Sequence, residues 1–137
     1  MTEKPSSEQG MIEGRLPLTP AVFYILLALA DGERHGYAIM REVAAQSGGR
    51  VRLGPGTLYG SIRRMLSDGI IEESAARPDP ALDDERRRYY RLTPFGRRVA
   101  EAEAARLQEL TRAARERGLL PGAGGALGQP AGAGGFR

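Results

Sequence analysis

Two adjacent arginines, Arg63 and Arg64, close a run of small and hydroxyl-bearing residues in "GPGTLYGSIRRML" at 54–66. On a helix of 3.6 residues per turn, Gly56, Thr57, Tyr59, Gly60, Arg63 and Arg64 collect on one side. Leu58, Ile62, Met65 and Leu66 collect on the other. The chemistry open to the first side is recognition of phosphate and base edges. Free amides and the positive dipole end of a helix favour an anion, and glycine lets the backbone approach closely. Hydroxyls bond phosphate oxygens, and guanidinium forks match phosphate or guanine. The plainer reading is that Gly-Pro is ordinary helix-start punctuation and an arginine pair a solvated face.

A second basic cluster stands in "RRRYYRL" at 86–92. Alternation puts Arg87, Tyr89 and Arg91 on one face of a strand and Arg88, Tyr90 and Leu92 on the other. Leu92 points inward, so Tyr90 is expected in the core, with Tyr89 open to either role. The loop before this strand carries Asp79, Asp83, Asp84 and Glu85, which phosphate would repel. The arginines of the arm, Arg86, Arg87 and Arg88, are therefore expected to face the anion rather than the tip, and the acids to pair locally.

Catalysis is poorly served. His35 is the single histidine and has no nucleophile or metal-ligand companions, so a structural role at a helix start is expected for it. The chain contains no cysteine, which excludes disulfides and thiolate sites. No paired carboxylates or phosphate-cradling loop occur, so neither an enzyme nor a metal or cofactor is expected.

These residues must be positioned by a small scaffold. Of the 137 residues, 1–14 are polar and read as a disordered arm, and 119–137 as a disordered Gly/Ala/Pro-rich tail. "LTP" occurs at 18–20 and 92–94, each time offering Thr as N-cap and Pro as first helical residue. The first opens an almost wholly apolar helix from Pro20 to Ala30. "DGERHG" at 31–36 reads as a turn, and "GYAIMREVAAQS" at 36–47 as an amphipathic helix ended by two glycines. "VRL" at 51–53 reads as a short strand, and a third helix runs from Pro55 to about Asp68. Residues 70–76 and 86–92 read as strands of a hairpin, and 95–117 as one long helix. The fold class is thus mainly α with a small β hairpin: a winged helix-turn-helix domain over 15–92, plus a long C-terminal helix over 93–118.

The net charge is +3, and all but one of the basic residues are arginine. The surplus of arginine over acid is concentrated in the middle of the chain, around the two clusters. The longest apolar run, 21–30, is too short to cross a bilayer. Without a membrane segment or signal flanks, a cytoplasmic protein is expected.

"HGY" at 35–37, "PGTLYGSIRRM" at 55–65, "DGII" at 68–71 and "RRYYRLTPFGR" at 87–97 together resemble the PadR family of bacterial transcriptional regulators, over roughly residues 18–110. The resemblance implies a winged-helix repressor that binds double-stranded DNA and dimerises through its C-terminal helix with help from the first. Positionally, 55–68 becomes the recognition helix and 70–92 the wing. The sequence departs from the family pattern at Gly54, where serine is frequent, and at Gly60, where proline is frequent. The short C-terminal helix is similar to that of the smaller family branch.

Phe95, Val99, Leu107, Leu110 and Ala114 form a stripe on the last helix, and Phe23 and Leu26 lie on the first. These seven are the expected dimer contacts of a homodimer on a palindromic operator, its recognition helices about 34 Å apart. The resemblance further implies a small aromatic or hydrophobic effector near that interface. The alternative is a winged-helix protein-interaction module that never meets DNA, since fold does not fix function.

Overall fold

A computed structural model describes residues 7–74 and 88–122. Helix α1 spans Ser7–Gly14, α2 Pro20–Ala30, α3 Gly36–Gln46, α4 Pro55–Ser67 and α5 Pro94–Glu116. Strands β1 (Arg34–His35), β2 (Ile71–Glu73) and β3 (Tyr89–Leu92) form an antiparallel sheet in the order β1-β3-β2.

Helices α2, α3 and α5 each start at a side-chain cap. Thr19 Oγ1 accepts from the Val22 amide at 3.2 Å, with Pro20 in the first turn. Thr93 Oγ1 accepts from the Gly96 amide at 2.9 Å and donates to the Gly69 carbonyl at 2.6 Å. Both "LTP" segments therefore act as helix starts. His35 Nδ1 accepts from the Ala38 amide at 3.2 Å and so opens α3. Ser47 ends α3, and its hydroxyl accepts the Val51 amide at 2.9 Å while Gly48 and Gly49, at φ 64° and 82°, turn the chain. Gly69 (φ 75°) ends α4, with the Ile70 amide bonded to the Met65 carbonyl at 2.9 Å.

One core joins these elements. Ile25 and Leu29 of α2, Ile39 and Val43 of α3, Leu58, Ile62 and Met65 of α4, Ile71 of β2 and Tyr90 of β3 are buried together. Each such side chain contributes about 1.5–3 kcal/mol by leaving water. The sheet edge packs close to α5: the Gly96 Cα faces the Ile70 carbonyl, and a Cβ there would lie 2.8 Å from the Ile70 carbonyl carbon.

Four local expectations change. The expected arm at 1–14 contains α1, tied down when Arg98 donates to both Glu8 oxygens at 2.9 and 2.8 Å. "DGERHG" includes β1, which pairs Arg34 with Tyr90 and His35 with Tyr89. "VRL" forms no strand: Val51 and Leu53 pack half-buried against the core without a ladder partner. Leu26 and Val99, expected at a dimer contact, are 0% exposed inside a single chain. Apolar periodicity shows that a face is buried but not whose atoms bury it. Phe23 and Phe95 are half-buried, Phe95 against the core and 5.8 Å beneath the Arg15 guanidinium.

The chain divides into a compact unit ending at Glu103 and another beginning at Ala104, a boundary inside α5. In the second unit Leu107 and Ala114 are half-buried and Leu110 is 54% exposed. That helix closes at Gly118 (φ 79°), with the Leu119 amide on the Ala114 carbonyl at 2.8 Å.

Candidate nucleic-acid interface

Helix α4 divides as its periodicity requires. Leu58, Ile62 and Met65 are buried, whereas Gly56, Thr57, Arg63 and Arg64 are exposed and Gly60 half-exposed. Gly54 caps α4 without a side-chain hydrogen bond, so the cap residue itself leaves the amides of the first turn uncovered. That end is left bare for an incoming acceptor.

Tyr59 does not join this surface. It is only 9% exposed, and its ring lies over Gly36 at the start of α3. The expected hydroxyl contact from Tyr59 is corrected on that ground: the missing side chain at Gly36 makes a slot that the phenol fills. It packs α3 against α4 instead of pointing outward.

The ribbon is internally paired at its base. Arg91, directly opposite Glu72 in the ladder, donates to it at 2.9 Å and lies 3.6 Å from Glu33. The hydrogen bond donated to Glu72, with the nearby charges of Glu72 and Glu33, holds the Arg91 guanidinium above its ordinary pKa. Arg88 pairs with Glu73 at 3.3 Å, and Ser74 donates to Glu33 at 2.8 Å. Arg88 is exposed, so its charge faces solvent but is already shared with an acid. Arg86, Arg87 and the acids from Asp79 to Glu85 lie outside the described residues. Tyr90 is buried as expected, and Tyr89 meets His35 edge-on, ring centroids 5.2 Å apart.

Two cations escaped the sequence reading. Arg50 and Arg52 are exposed in the connection that leads into α4, and neither makes an ion pair among the described residues. The Arg52 guanidinium rests against Gly49, 3.2 Å from where a Cβ would stand. The signal was present in "RVRLG": inward Val51 and Leu53 force Arg50 and Arg52 outward, whether or not a ladder forms. Among the described residues no group of His, Cys, Asp or Glu could hold a metal ion, and no helix is long and apolar enough to cross a membrane.

Comparison with known proteins gives concordant results. The sequence model of the transcriptional regulator PadR-like family matches residues 25–102. Transcriptional regulator Rv3488 of Mycobacterium tuberculosis is 34% identical over 89 residues, 65% of this chain and 77% of that protein. An uncharacterized 37.1 kDa protein in transposon TN4556 of Streptomyces fradiae is 38% identical over 91 residues, 66% of this chain. The match spans only 24% of that protein's length. Among solved structures, Bordetella bronchiseptica BpsR, whose DNA binding is regulated by 6-hydroxynicotinic acid, is 26% identical with a TM-score of 0.56. That alignment covers 84% of this chain and 80% of BpsR. Solved PadR-like regulators share the winged-helix fold.

Proposed function

The chain belongs to the PadR-like family of transcriptional regulators, and from that premise we propose that it binds double-stranded DNA sequence-specifically, as a cytoplasmic homodimeric repressor that answers to a small effector. The family is one of regulators, not enzymes. The observation that carries the DNA reading is the split of α4. Its buried stripe of Leu58, Ile62 and Met65 fixes the helix, and the opposite side offers Gly56, Thr57, Arg63 and Arg64 to solvent. A helix presented this way enters the major groove by its first turns. Arg50 and Arg52, just ahead of it, would contact flanking phosphates.

Support for a homodimer comes from exposed Leu110 with half-buried Leu107 and Ala114 on the second unit of α5. Support for an effector comes from BpsR, whose DNA binding 6-hydroxynicotinic acid regulates. Gel shifts on the DNA upstream of the protein's own gene, across a salt series, test the proposal. A linear fall of log affinity with log salt on a palindromic site is expected. Salt-indifferent binding, or none at any palindrome, would overturn it.

A further inference from the structure

Tyr37 stands in the first turn of α3 and is 51% exposed, although much of that helix turns inward. Ile39 and Val43 are buried, and Met40 packs on the core. A lone exposed aromatic needs no explanation; what surrounds this one sets it apart. The Arg41 guanidinium, one helical turn on, lies over the ring, its carbon 5.6 Å from the centroid. That cation–π contact holds ring and guanidinium together. Among the described residues the Tyr37 hydroxyl makes no hydrogen bond and Arg41 no ion pair. Glu42, the acid beside Arg41, is engaged elsewhere: it accepts from Gln46 at 3.1 Å and lies 4.0 Å from Arg34. Arg34, Arg88 and Arg91 each face a carboxylate. Arg41 instead joins Arg50 and Arg52 as exposed positive charge without an acid.

The two residues before Tyr37 fix where the pair stands. His35 is matched with Tyr89 in the β1–β3 ladder, the rings meeting edge-on. Gly36 is covered by the Tyr59 phenol of α4. Tyr37 therefore leaves the chain where the ribbon, α3 and α4 meet. In a helix-turn-helix the helix ahead of the groove-entering one crosses the sugar–phosphate backbone, and α3 is that helix here.

We propose that Tyr37 and Arg41 form a clamp for one backbone phosphate of duplex DNA, flanking the groove that α4 enters. The phenol donates to one phosphate oxygen. Arg41, held against the ring, donates to another and supplies the charge. The occupant follows from the unpaired charge and from continuity with the exposed side of α4. The clamp contributes affinity and register, not base identity. It rests on the DNA-binding reading above and adds a contact outside both α4 and the ribbon.

Fluorescence anisotropy of the full chain on the DNA upstream of its own gene, and on random duplex, tests the clamp. Tyr37→Phe keeps the ring and removes only the hydroxyl; Arg41→Ala removes the charge. Both side chains are exposed, so urea midpoints should stay near that of the wild type. Each variant should weaken binding by about tenfold on both duplexes alike. Arg41→Ala should also lower the log–log salt slope by about one. Duplexes carrying one uncharged methylphosphonate at successive positions then locate the partner. One flanking position should weaken the wild type by about tenfold and leave Tyr37→Phe unchanged. Variants that bind as the wild type does, or an affinity loss that no methylphosphonate position mirrors, would overturn the clamp alone. A wild type that holds neither duplex fails the DNA-binding reading and the clamp with it.

Discussion

The phenol of Tyr59 lies directly over Gly36, so that a Cβ at residue 36 would stand 2.6 Å from the ring carbon bearing the hydroxyl and 2.8 Å from its neighbour. The two residues are 23 positions apart in the chain and lock the first turn of α3 to α4. The orientation of the exposed side of α4 is thus set by a contact on its hidden side.

Gly36→Ala should therefore destabilise the protein by about 1–3 kcal/mol, the range for overpacking. The gain in helix propensity from alanine is only about 0.5–1 kcal/mol and is outweighed. Gly96→Ala should cost more, because it meets the Ile70 backbone carbonyl rather than a side chain that can swing away. Urea midpoints for the two variants would show the order; equal, small shifts would refute it.

Salt dependence should separate the basic groups. Arg50→Ala with Arg52→Ala, and Arg64→Ala alone, should each weaken DNA binding and lower the log–log salt slope by about one per lost phosphate contact. Arg88→Ala and Arg91→Ala should change the slope least, since Glu73, Glu72 and Glu33 already neutralise those two. A slope that falls more with Arg91→Ala than with the Arg50 and Arg52 pair would reverse the assignment.

Docking of α1 should depend on pH. Its hydrogen bond from Arg98 holds the Glu8 carboxyl below the ordinary glutamate value. A carboxyl depressed in the folded state stabilises fully above its unfolded pKa and loses that contribution as pH falls through the folded one. Amide exchange in 7–14 should be slow near neutral pH and, corrected for intrinsic rates, lose protection under acid before the core does. Glu8→Gln should show the weaker protection near neutral pH, and the difference should vanish under acid, where the wild-type carboxyl is itself protonated.

Leu110→Glu should halve the mass seen by light scattering while leaving the circular dichroism spectrum in place. Leu26→Ala should act differently, lowering stability by about 2–5 kcal/mol through a core cavity because Leu26 lies wholly inside one chain. An unchanged mass for the Leu110 variant would remove that residue from the interface.

Much of this architecture is legible in the sequence because its signals are local. The "LTP" caps, the stripe of Leu58, Ile62 and Met65, and the alternation that buries Tyr90 need only neighbours within a turn or a pleat. What is missed depends on distant partners. Tyr59 lies three residues before Ile62, at the margin of the buried stripe, and only the void at Gly36 draws it in. Polar α1 owes its place to Arg98, ninety residues on. Strand β1 has two residues, too few for any periodicity, and exists because β3 offers an edge. The stripe on α5 shows where apolar atoms go, but Val99 meets its own chain and Leu110 does not.

Thr93 is the sole residue between β3 and α5; its amide is fastened to the carbonyl of Ile70 and its hydroxyl to those of Gly69 and Ile70. Strand and helix are consequently welded end to end, with no joint in which a twist can dissipate. Thr93→Ala would undo that weld, since one hydroxyl both caps α5 at Gly96 and holds the carbonyls that precede β2.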